Sequence, residues 1–199
     1  MIKLNLGSGL WLKSGFINVD KYYTEEQLRS KKGAFKNAKV EPNAKFIQAD
    51  IGKLPFPDNY ADYVEMNQVI EHFPVKSIAT YMKEVYRVMK KGGKLVASMP
   101  NFNGIIADWI YMISNPPFNP AEYLDLAEVI YGNQLCGGEY HSCPITPEFI
   151  NFILTSVGFK KGSVFIARKG TKVTEVKWLV PLQKNSVFRN DNIILEAEK

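Results

Sequence analysis

The front of the chain carries residue types suited to holding a nucleoside. An apolar segment runs into the turn Gly7-Ser8-Gly9, and the next apolar segment, Phe16–Val19, ends at the carboxylate of Asp20. Glycine lets the main chain approach a ligand closely, and a carboxylate at the end of a neighbouring strand can accept hydrogen bonds from both hydroxyls of a ribose. We therefore predict that one side of a nucleoside-binding crevice is formed by Leu6, Gly7, Ser8, Gly9 and Asp20.

A second carboxylate stands at the end of the apolar segment Phe46–Ala49. This is Asp50, which is followed by Ile51. In an open α/β sheet, ligands bind at the carboxyl ends of the strands. Asp50 would accept a hydrogen bond from an adenine amino group while Ile51 packs on the ring. The alternative is that Asp50 caps a helix.

Polar residues also follow the apolar segment Asp62–Met66. They are Asn67, Gln68 and, a few residues later, His72. Because this segment is the next predicted strand, its carboxyl end should line the same crevice. For His72 the alternative is a hydrogen-bonded structural histidine.

The order of the apolar segments predicts the elements that must position these residues. Amphipathic helices are predicted over Pro74–Lys91 and Pro147–Val157. Strands are predicted at Lys3–Leu6, Phe16–Val19, Phe46–Ala49, Asp62–Met66, Lys94–Met99, Ser163–Ala167 and Ile193–Ala197. Strands that alternate with helices are typical of a parallel sheet covered on both faces. The expected fold is therefore a doubly wound α/β sheet in a single domain, residues 1–199.

Two stretches do not follow this alternation. Lys21–Asn43 is polar and is predicted to form one short helix and a loop. Residues 102–145 follow the fifth strand and are too long for a simple connection. They hold helix candidates at Gly104–Ile113 and Pro120–Tyr131. Because a long insertion of this kind is often a binding surface or cover, we expect 102–145 to form a helical lid that contacts the acceptor.

Four segments together carry a family resemblance that covers nearly all of residues 3–101. They are LNLGSG, GFINVD, QADIGKLPFPDNYADYVEMNQVIEHF and EVYRVMKKGGKLVASMPN. In this combination the chain resembles a class I S-adenosylmethionine-dependent methyltransferase of the small type-11 kind. The resemblance implies a Rossmann-like sheet of seven strands with the last strand antiparallel. It also implies S-adenosylmethionine as cofactor and S-adenosylhomocysteine as product.

The resemblance also implies a role for each matching residue. Gly7 and Gly9 would pass close to the methionine part of the cofactor, and Asp20 would hold the ribose. Asp50 and Ile51 would contact the adenine, whereas Asn67 and Gln68 would lie beside the sulfonium.

The chain departs from the family pattern around its first turn. Asn5 replaces an acidic residue that many members have, and Trp11 replaces the usual third glycine. Because Asp20 follows Gly9 so soon, a full first helix does not fit between them. We expect the loop Leu10–Ser14 to replace this helix and to close over the cofactor.

Histidine is the residue type we expect to act on the acceptor. An oxygen acceptor needs a base with a pKa near neutrality, which histidine supplies. His72 is the first candidate catalytic residue, and His141 is the second. No metal site is expected, because Cys136, His141 and Cys143 lack a fourth nearby ligand and regular ligand spacing.

Two other functions fit the first motif less well. A nicotinamide-dependent oxidoreductase has the fingerprint G-x-G-x-x-G with an acidic residue about 20 positions on. Here Leu12 stands at the third glycine, and Asp20 is only 13 positions after Gly7. A non-catalytic nucleoside-binding module of the same fold is the other alternative, against which the intact glycine turn and both carboxylates argue.

The charge pattern bears on the acceptor and on location. The net charge is +5, yet no Lys or Arg occurs between Lys94 and Lys160. Because nucleic-acid grooves need cations against the phosphates, we expect a small-molecule or sugar acceptor and no nucleic acid. No apolar run approaches the ~18 residues of a membrane span, and the N-terminus carries no secretory signal. A cytoplasmic protein is therefore expected.

Overall fold

The computed structural model describes residues 1–117, 119–134, 138–167 and 192–199. Within this part, nine strands are found in two sheets. They are β1 (Lys3–Leu6), β2 (Trp11–Leu12), β3 (Ile17–Asp20), β4 (Lys39–Val40), β5 (Lys45–Gln48), β6 (Ala61–Asn67), β7 (Met89–Pro100), β8 (Lys160–Ala167) and β9 (Asn192–Glu198). The five helices are α1 (Glu25–Ser30), α2 (Ile78–Val88), α3 (Phe102–Ser114), α4 (Pro120–Tyr131) and α5 (Pro147–Val157).

The main sheet has the strand order β5-β3-β1-β6-β7-β9-β8 among the described residues. Its first five strands pair in parallel. The last strand, β9, is antiparallel to both β7 and β8. The predicted α/β architecture with an antiparallel last strand is confirmed. The strand order reverses beside β1, so the carboxyl ends of β1, β3 and β6 open onto one crevice.

The main core lies between the sheet and the helices α2 and α5. Helix α2 buries Ile78, Met82 and Val85 along one face, as its apolar periodicity predicts. It begins at Ile78 and not at Pro74, because residues 74–77 form a turn closed by the Ser77 amide on the Pro74 carbonyl. It ends at Val88 because β7 begins at once and pairs with β6.

The segment Leu10–Ser14 differs from the expectation. It is not a cover over the crevice, since Trp11–Leu12 forms β2 and pairs with β4 in a small second sheet. Leu12 is fully buried in a second apolar cluster with Leu28, Ala38 and Ala44. The helix predicted within Lys21–Asn43 is α1, which begins at a capping box between Thr24 and Gln27. Strand β4 was not predicted.

The insertion contains both predicted helices. Helices α3 and α4 pack against each other through Ile105, Met112 and Leu126. Much of their remaining apolar surface is exposed, including Ile110, Ile113 and Leu124. Among the described helices, none combines the length and apolarity that a membrane crossing needs.

Candidate active site

The turn after β1 has a shape that requires glycine at its first position. Gly7 adopts φ +67°, and a Cβ atom there would lie 2.5 Å from Cγ2 of Val69. The amides of Gly7 and Ser8 both donate to the Val19 carbonyl, at 2.8 and 3.0 Å. These bonds anchor the turn to the end of β3, and they place the main chain of Gly7 along the crevice.

Asp20 occupies the end of β3 beside this turn. Its Oδ2 accepts from the Gly9 amide at 2.9 Å, and its Oδ1 accepts from the Tyr22 amide at 2.9 Å. Burial raises the pKa of Asp20, against the lowering effect of the amide donors of Tyr22 and Gly9. The carboxylate is therefore held at the crevice wall by main-chain amides.

Asp50 performs the capping role and also lines the crevice. Its Oδ1 accepts from the Gly52 amide at 2.8 Å and caps a short 3₁₀ turn, Ile51–Lys53. Its Oδ2 accepts from Nζ of Lys21 at 2.7 Å. Burial alone would raise the pKa of Asp50, but the hydrogen bond and charge of Lys21 lower it overall. Ile51 is buried and lines the crevice beside Asp50.

The end of β6 is held by the neighbouring strand β7. The side chain of Asn67 accepts a hydrogen bond from the hydroxyl of Ser98. Gln68 adopts a left-handed conformation, φ +53°, and its amide donates to the Ser98 carbonyl at 2.9 Å. Both residues line the crevice. A left-handed conformation is costly for a residue with a side chain and often marks a functional turn.

These residues meet in one cavity of about 650 Å³. Its walls include Gly7, Ser8, Gly9, Asp20, Asp50, Ile51, Asn67, Gln68, His72 and His141. Leu6 is an exception, because its side chain is fully buried in the core and does not line the cavity. Trp11 does not line it either, since its indole nitrogen donates to Glu41 at 3.0 Å on the small second sheet.

The cavity fits the cofactor that the sequence predicts. Its volume lies in the range of about 300–1,000 Å³ that small-molecule and cofactor sites occupy. The hydroxyl of Ser8 is buried at its wall with no hydrogen-bond partner in the described part of the chain, so it is available to a ligand. The acceptor oxygens of Asp20 suit a ribose, and Asn67 and Gln68 line the same cavity.

The two histidines are brought together although they lie 69 positions apart in the chain. The ring centroids of His72 and His141 are 4.9 Å apart at an interplanar angle of 71°. Nδ1 of His72 lies 3.0 Å from the Tyr140 carbonyl, and Nδ1 of His141 lies 2.8 Å from the Val129 carbonyl. Burial lowers the pKa of both rings, and for His141 the neighbouring His72 lowers it further. Burial thus favours the neutral form of both imidazoles.

Glu71 is a residue of this region that sequence reasoning missed. Its side chain is only 2% exposed, and neither carboxylate oxygen has a hydrogen-bond partner in the described part of the chain. Burial raises the pKa of Glu71 to about 8. Its main-chain carbonyl accepts from the amides of Ser142 and Cys143, which ties the returning insertion to this turn. The sequence feature that could have identified Glu71 is a single acidic residue inside the apolar segment Val69–Phe73.

Several other wall residues come from loops that carry no motif. Tyr22 and Tyr23 follow β3, Tyr81 lies on α2, and Glu139 lies in the returning insertion. The hydroxyl of Tyr23 donates to Glu139 at 3.2 Å, which joins the two sides of the cavity. The aromatic side chains of α3 and α4 do not line it; Trp109 packs against Tyr123 in the helix pair.

Comparison with known families agrees with this geometry. Residues 13–97 match the family model described as a methyltransferase domain. A demethylmenaquinone methyltransferase of Listeria welshimeri is 34% identical over 88 residues, which are 41% of this chain and 35% of that protein. One from a Geobacillus species is 43% identical over 54 residues, 27% of this chain and 22% of that protein. The chain thus spans about a third or less of the length of these curated relatives.

Solved structures show the same fold over the whole chain. A methyltransferase of Methanosarcina mazei described as S-adenosylmethionine-dependent superposes with a TM-score of 0.63 at 17% identity, covering 99% of this chain and 91% of that one. The 1,6-didemethyltoxoflavin-N1-methyltransferase of Burkholderia thailandensis, solved with S-adenosylhomocysteine, superposes with a TM-score of 0.57 at 14% identity, covering 100% and 70%. The domain match over residues 13–97 and the order of the sheet thus make this chain similar to S-adenosylmethionine-dependent methyltransferases.

Proposed function

We propose that this chain transfers a methyl group from S-adenosylmethionine to a small-molecule acceptor. The observation that carries the proposal is the single cavity in which the glycine turn and Asp20 face two histidines. A nicotinamide-dependent oxidoreductase is not supported, since the matched domain is that of methyltransferases. A non-catalytic module of the same fold would keep the cofactor side and would have no use for an imidazole pair on the other.

The cofactor side is assigned to the residues around β1, β3 and β5. Asp20 would hold the ribose, Asp50 and Ile51 the adenine, and Gly7, Ser8 and Gly9 the methionine part, with Asn67 and Gln68 beside the sulfonium. S-adenosylmethionine supplies, when bound, an activated methyl group on a sulfonium sulfur. The protein's main tasks are then to orient the acceptor in line and to exclude water.

The acceptor side is assigned to His72 and His141. Both Nδ1 atoms face main-chain carbonyls, which only accept, so each ring in its neutral form carries its proton on Nδ1 and has Nε2 as its accepting atom. That Nε2 can take the proton of an acceptor hydroxyl as the new O–CH₃ bond forms. We assign residues 102–145 as the lid, and its support is that Glu139 and His141 line the cavity and that the hydroxyl of Tyr23 donates to Glu139.

The acceptor is proposed to be neutral or weakly charged. Six carboxylates and no cation occur between Lys94 and Lys160, the stretch that supplies the lid. A phosphate-bearing polymer would be repelled there. The sequence favours a sugar or another metabolite, whereas the curated relatives carry the name of a quinone-type acceptor. Both classes are small molecules of the required charge.

The cofactor assignment is tested by replacing Asp20 with alanine. We expect S-adenosylhomocysteine to bind the wild type and to bind the variant about 10- to 150-fold more weakly, because a hydrogen-bonded charged acceptor contributes about 1.5–3 kcal/mol. Isothermal titration calorimetry measures both affinities. The control is Asp125→Ala, which removes an exposed carboxylate of α4 that does not line the cavity.

The same calorimetric titration distinguishes an S-adenosylmethionine site from a nicotinamide site. Heat with NADH but none with S-adenosylhomocysteine would contradict the cofactor assignment, as would an unchanged affinity in Asp20→Ala. Because burial raises the pKa of Asp20 and only the carboxylate accepts from both hydroxyls, wild-type affinity should decline on acidification earlier than for an ordinary aspartate. Asp20→Asn should not show this decline.

The acceptor class is tested with labelled cofactor and four groups of compounds. We expect methyl incorporation with a hydroxylated quinol or a sugar, and none with DNA or RNA. A mobility-shift assay at low salt accompanies the screen, because phosphate binding is strongest there. Tight binding with a steep salt dependence and methylation of an oligonucleotide would contradict the small-molecule assignment and leave the cofactor assignment intact.

A further inference from the structure

We propose that Glu71, His72 and His141 form a binding site for one divalent transition-metal cation in the wall of the cavity. Among the described residues, these three side chains each offer one ligand atom, and the three atoms lie within 4.8 Å of one another. Cys136 lies outside the described residues. No metal was expected from the sequence, because Cys136, His141 and Cys143 lack a fourth ligand nearby in the chain. The structure removes that objection by packing the two rings together.

The spacing suits a cation after a small contraction. Ligand atoms about 2.0–2.2 Å from a shared metal ion stand about 3–3.5 Å from one another. The side chains would therefore need to close by at most about 1.3–1.8 Å, which rotation of a glutamate side chain and two rings can supply.

The hydrogen bonds that both imidazoles make through Nδ1 suit them to bind a metal. A metal-binding histidine usually donates its second ring N–H to a carbonyl or carboxylate, which fixes the tautomer and the ring plane. Here Nδ1 of His72 donates to the Tyr140 carbonyl, and Nδ1 of His141 donates to the Val129 carbonyl. Each ring is therefore left with Nε2 as its ligand atom, and the main chain holds the orientation of the ring.

Glu71 supplies the independent observation that points to a ligand. A buried carboxylate normally has hydrogen-bond or ionic partners, because leaving it without them is costly. Both oxygens of Glu71 are buried, and neither has a partner within the described ranges. A cation beside the two rings would provide the missing partner, and it would explain why an acid stands in this apolar turn.

Main-chain hydrogen bonds join the two segments that carry the three ligand residues. The Glu71 carbonyl accepts from the amides of Ser142 at 2.8 Å and Cys143 at 3.0 Å. The His141 amide donates to the Tyr131 carbonyl at 3.1 Å. Residues from the turn after β6 and from the returning insertion are thus joined at the point where the ligands meet.

The donor set selects the class of metal. Imidazole suits zinc, iron, cobalt, nickel and copper, whereas magnesium and calcium prefer all-oxygen sites. Three protein ligands leave at least one position open, as in catalytic zinc sites. His72 and His141 line the large cavity, whereas Glu71 lines a smaller cavity that His141 also borders.

A cation at this site would change how the acceptor is activated. That role rests on the proposed methyl transfer, whereas the binding of a metal does not depend on it. The Nε2 atoms would serve as ligands and no longer as proton acceptors. A hydroxyl oxygen on the cation would lose its proton to water at a lower pH than it does when free. The site would then favour acceptors with a hydroxyl or enol oxygen.

The test uses the full chain, stripped with a chelator and titrated with Co²⁺ or Zn²⁺ without cofactor or acceptor. We expect one cation per chain, a visible Co²⁺ absorption of nitrogen and oxygen ligands, and a rise in Tm with metal concentration. Glu71→Gln, His72→Asn and His141→Asn should each weaken binding by more than about tenfold. The control Cys136→Ser/Cys143→Ser should bind like the wild type and so exclude thiolate ligands.

Three outcomes would overturn the proposal. They are no binding at millimolar metal, binding that persists in the double variant His72→Asn/His141→Asn, and an affinity equal to that of the wild type in all three single variants. If Glu71→Gln does not fold, the variants of the two partly buried histidines test the metal site. Because no methyl donor is present, a failure here is distinguishable from a failure of the proposed activity, which the calorimetry with S-adenosylhomocysteine tests separately.

Discussion

Replacing Lys13 with methionine should lower the free energy of unfolding by about 3–5 kcal/mol, because it leaves the carboxylate of Glu65 buried without a counter-charge. Glu65 lies in the middle of β6 and is 3% exposed, and its carboxylate is bonded by Nζ of Lys13, which is itself 8% exposed. Methionine keeps most of the length of the lysine stem, so the change removes mainly the charge. Urea unfolding of the wild type and the variant measures the difference.

Two further variants test whether the loss of stability comes from the buried ion pair between Lys13 and Glu65. Lys13→Met/Glu65→Leu should recover most of the loss, because apolar residues can replace a buried ion pair at little cost. Lys90→Met breaks the pair with Asp62, whose two side chains are about a third or more exposed, and should change the free energy of unfolding far less, because exposed ion pairs contribute little to stability. A Lys13→Met variant as stable as Lys90→Met would contradict the assigned role of the buried pair.

Gly7→Ala should lower the free energy of unfolding by about 2–5 kcal/mol and weaken binding of S-adenosylhomocysteine. A left-handed conformation costs a residue with a Cβ about 1–2 kcal/mol, and overpacking adds about 1–3 kcal/mol. The new Cβ would lie 2.5 Å from Cγ2 of Val69, which rotates little because valine is stiff at χ1. Urea unfolding and calorimetry measure the two effects.

Gly9→Ala is the matched control for this variant. Gly9 also has a positive φ, +52°, but a Cβ there would meet nothing within 4 Å. It should show only the backbone cost of about 1–2 kcal/mol. In a double-mutant cycle, Val69→Ala should relieve Gly7→Ala by about 0.5–3 kcal/mol. Additive effects of Gly7→Ala and Val69→Ala would show that the predicted contact does not form.

Helices whose ends are marked by particular residues in the sequence were predicted well. Helix α4 and helix α5 have the predicted bounds, because proline at the first helical turn and a stop residue after the last define them locally. The two-residue strands β2 and β4 were missed, because a pair of residues carries no periodicity. Their pairing is decided by Leu12, which is buried against residues from α1 and the following loop.

The cofactor side could be predicted because parallel strands bring their carboxyl ends to one edge. Asp20, Asp50 and Asn67 each follow a strand, and strand order alone was enough to gather them. Leu6 belongs to the same motif but faces the core, since neighbouring residues of a strand point to opposite faces. The side on which a residue lies depends on which face the helices cover.

The sequence by itself determined the α/β architecture, the glycine turn and the carboxylates at the strand ends. All of these depend on main-chain conformation or on strand order, which short stretches of residues encode. Only the tertiary structure decided that Glu71, His72 and His141 share one place. That meeting depends on how a long insertion folds back and bonds to the turn after β6. Its physical basis is packing between segments distant in the chain, which leaves no repeating pattern in either segment.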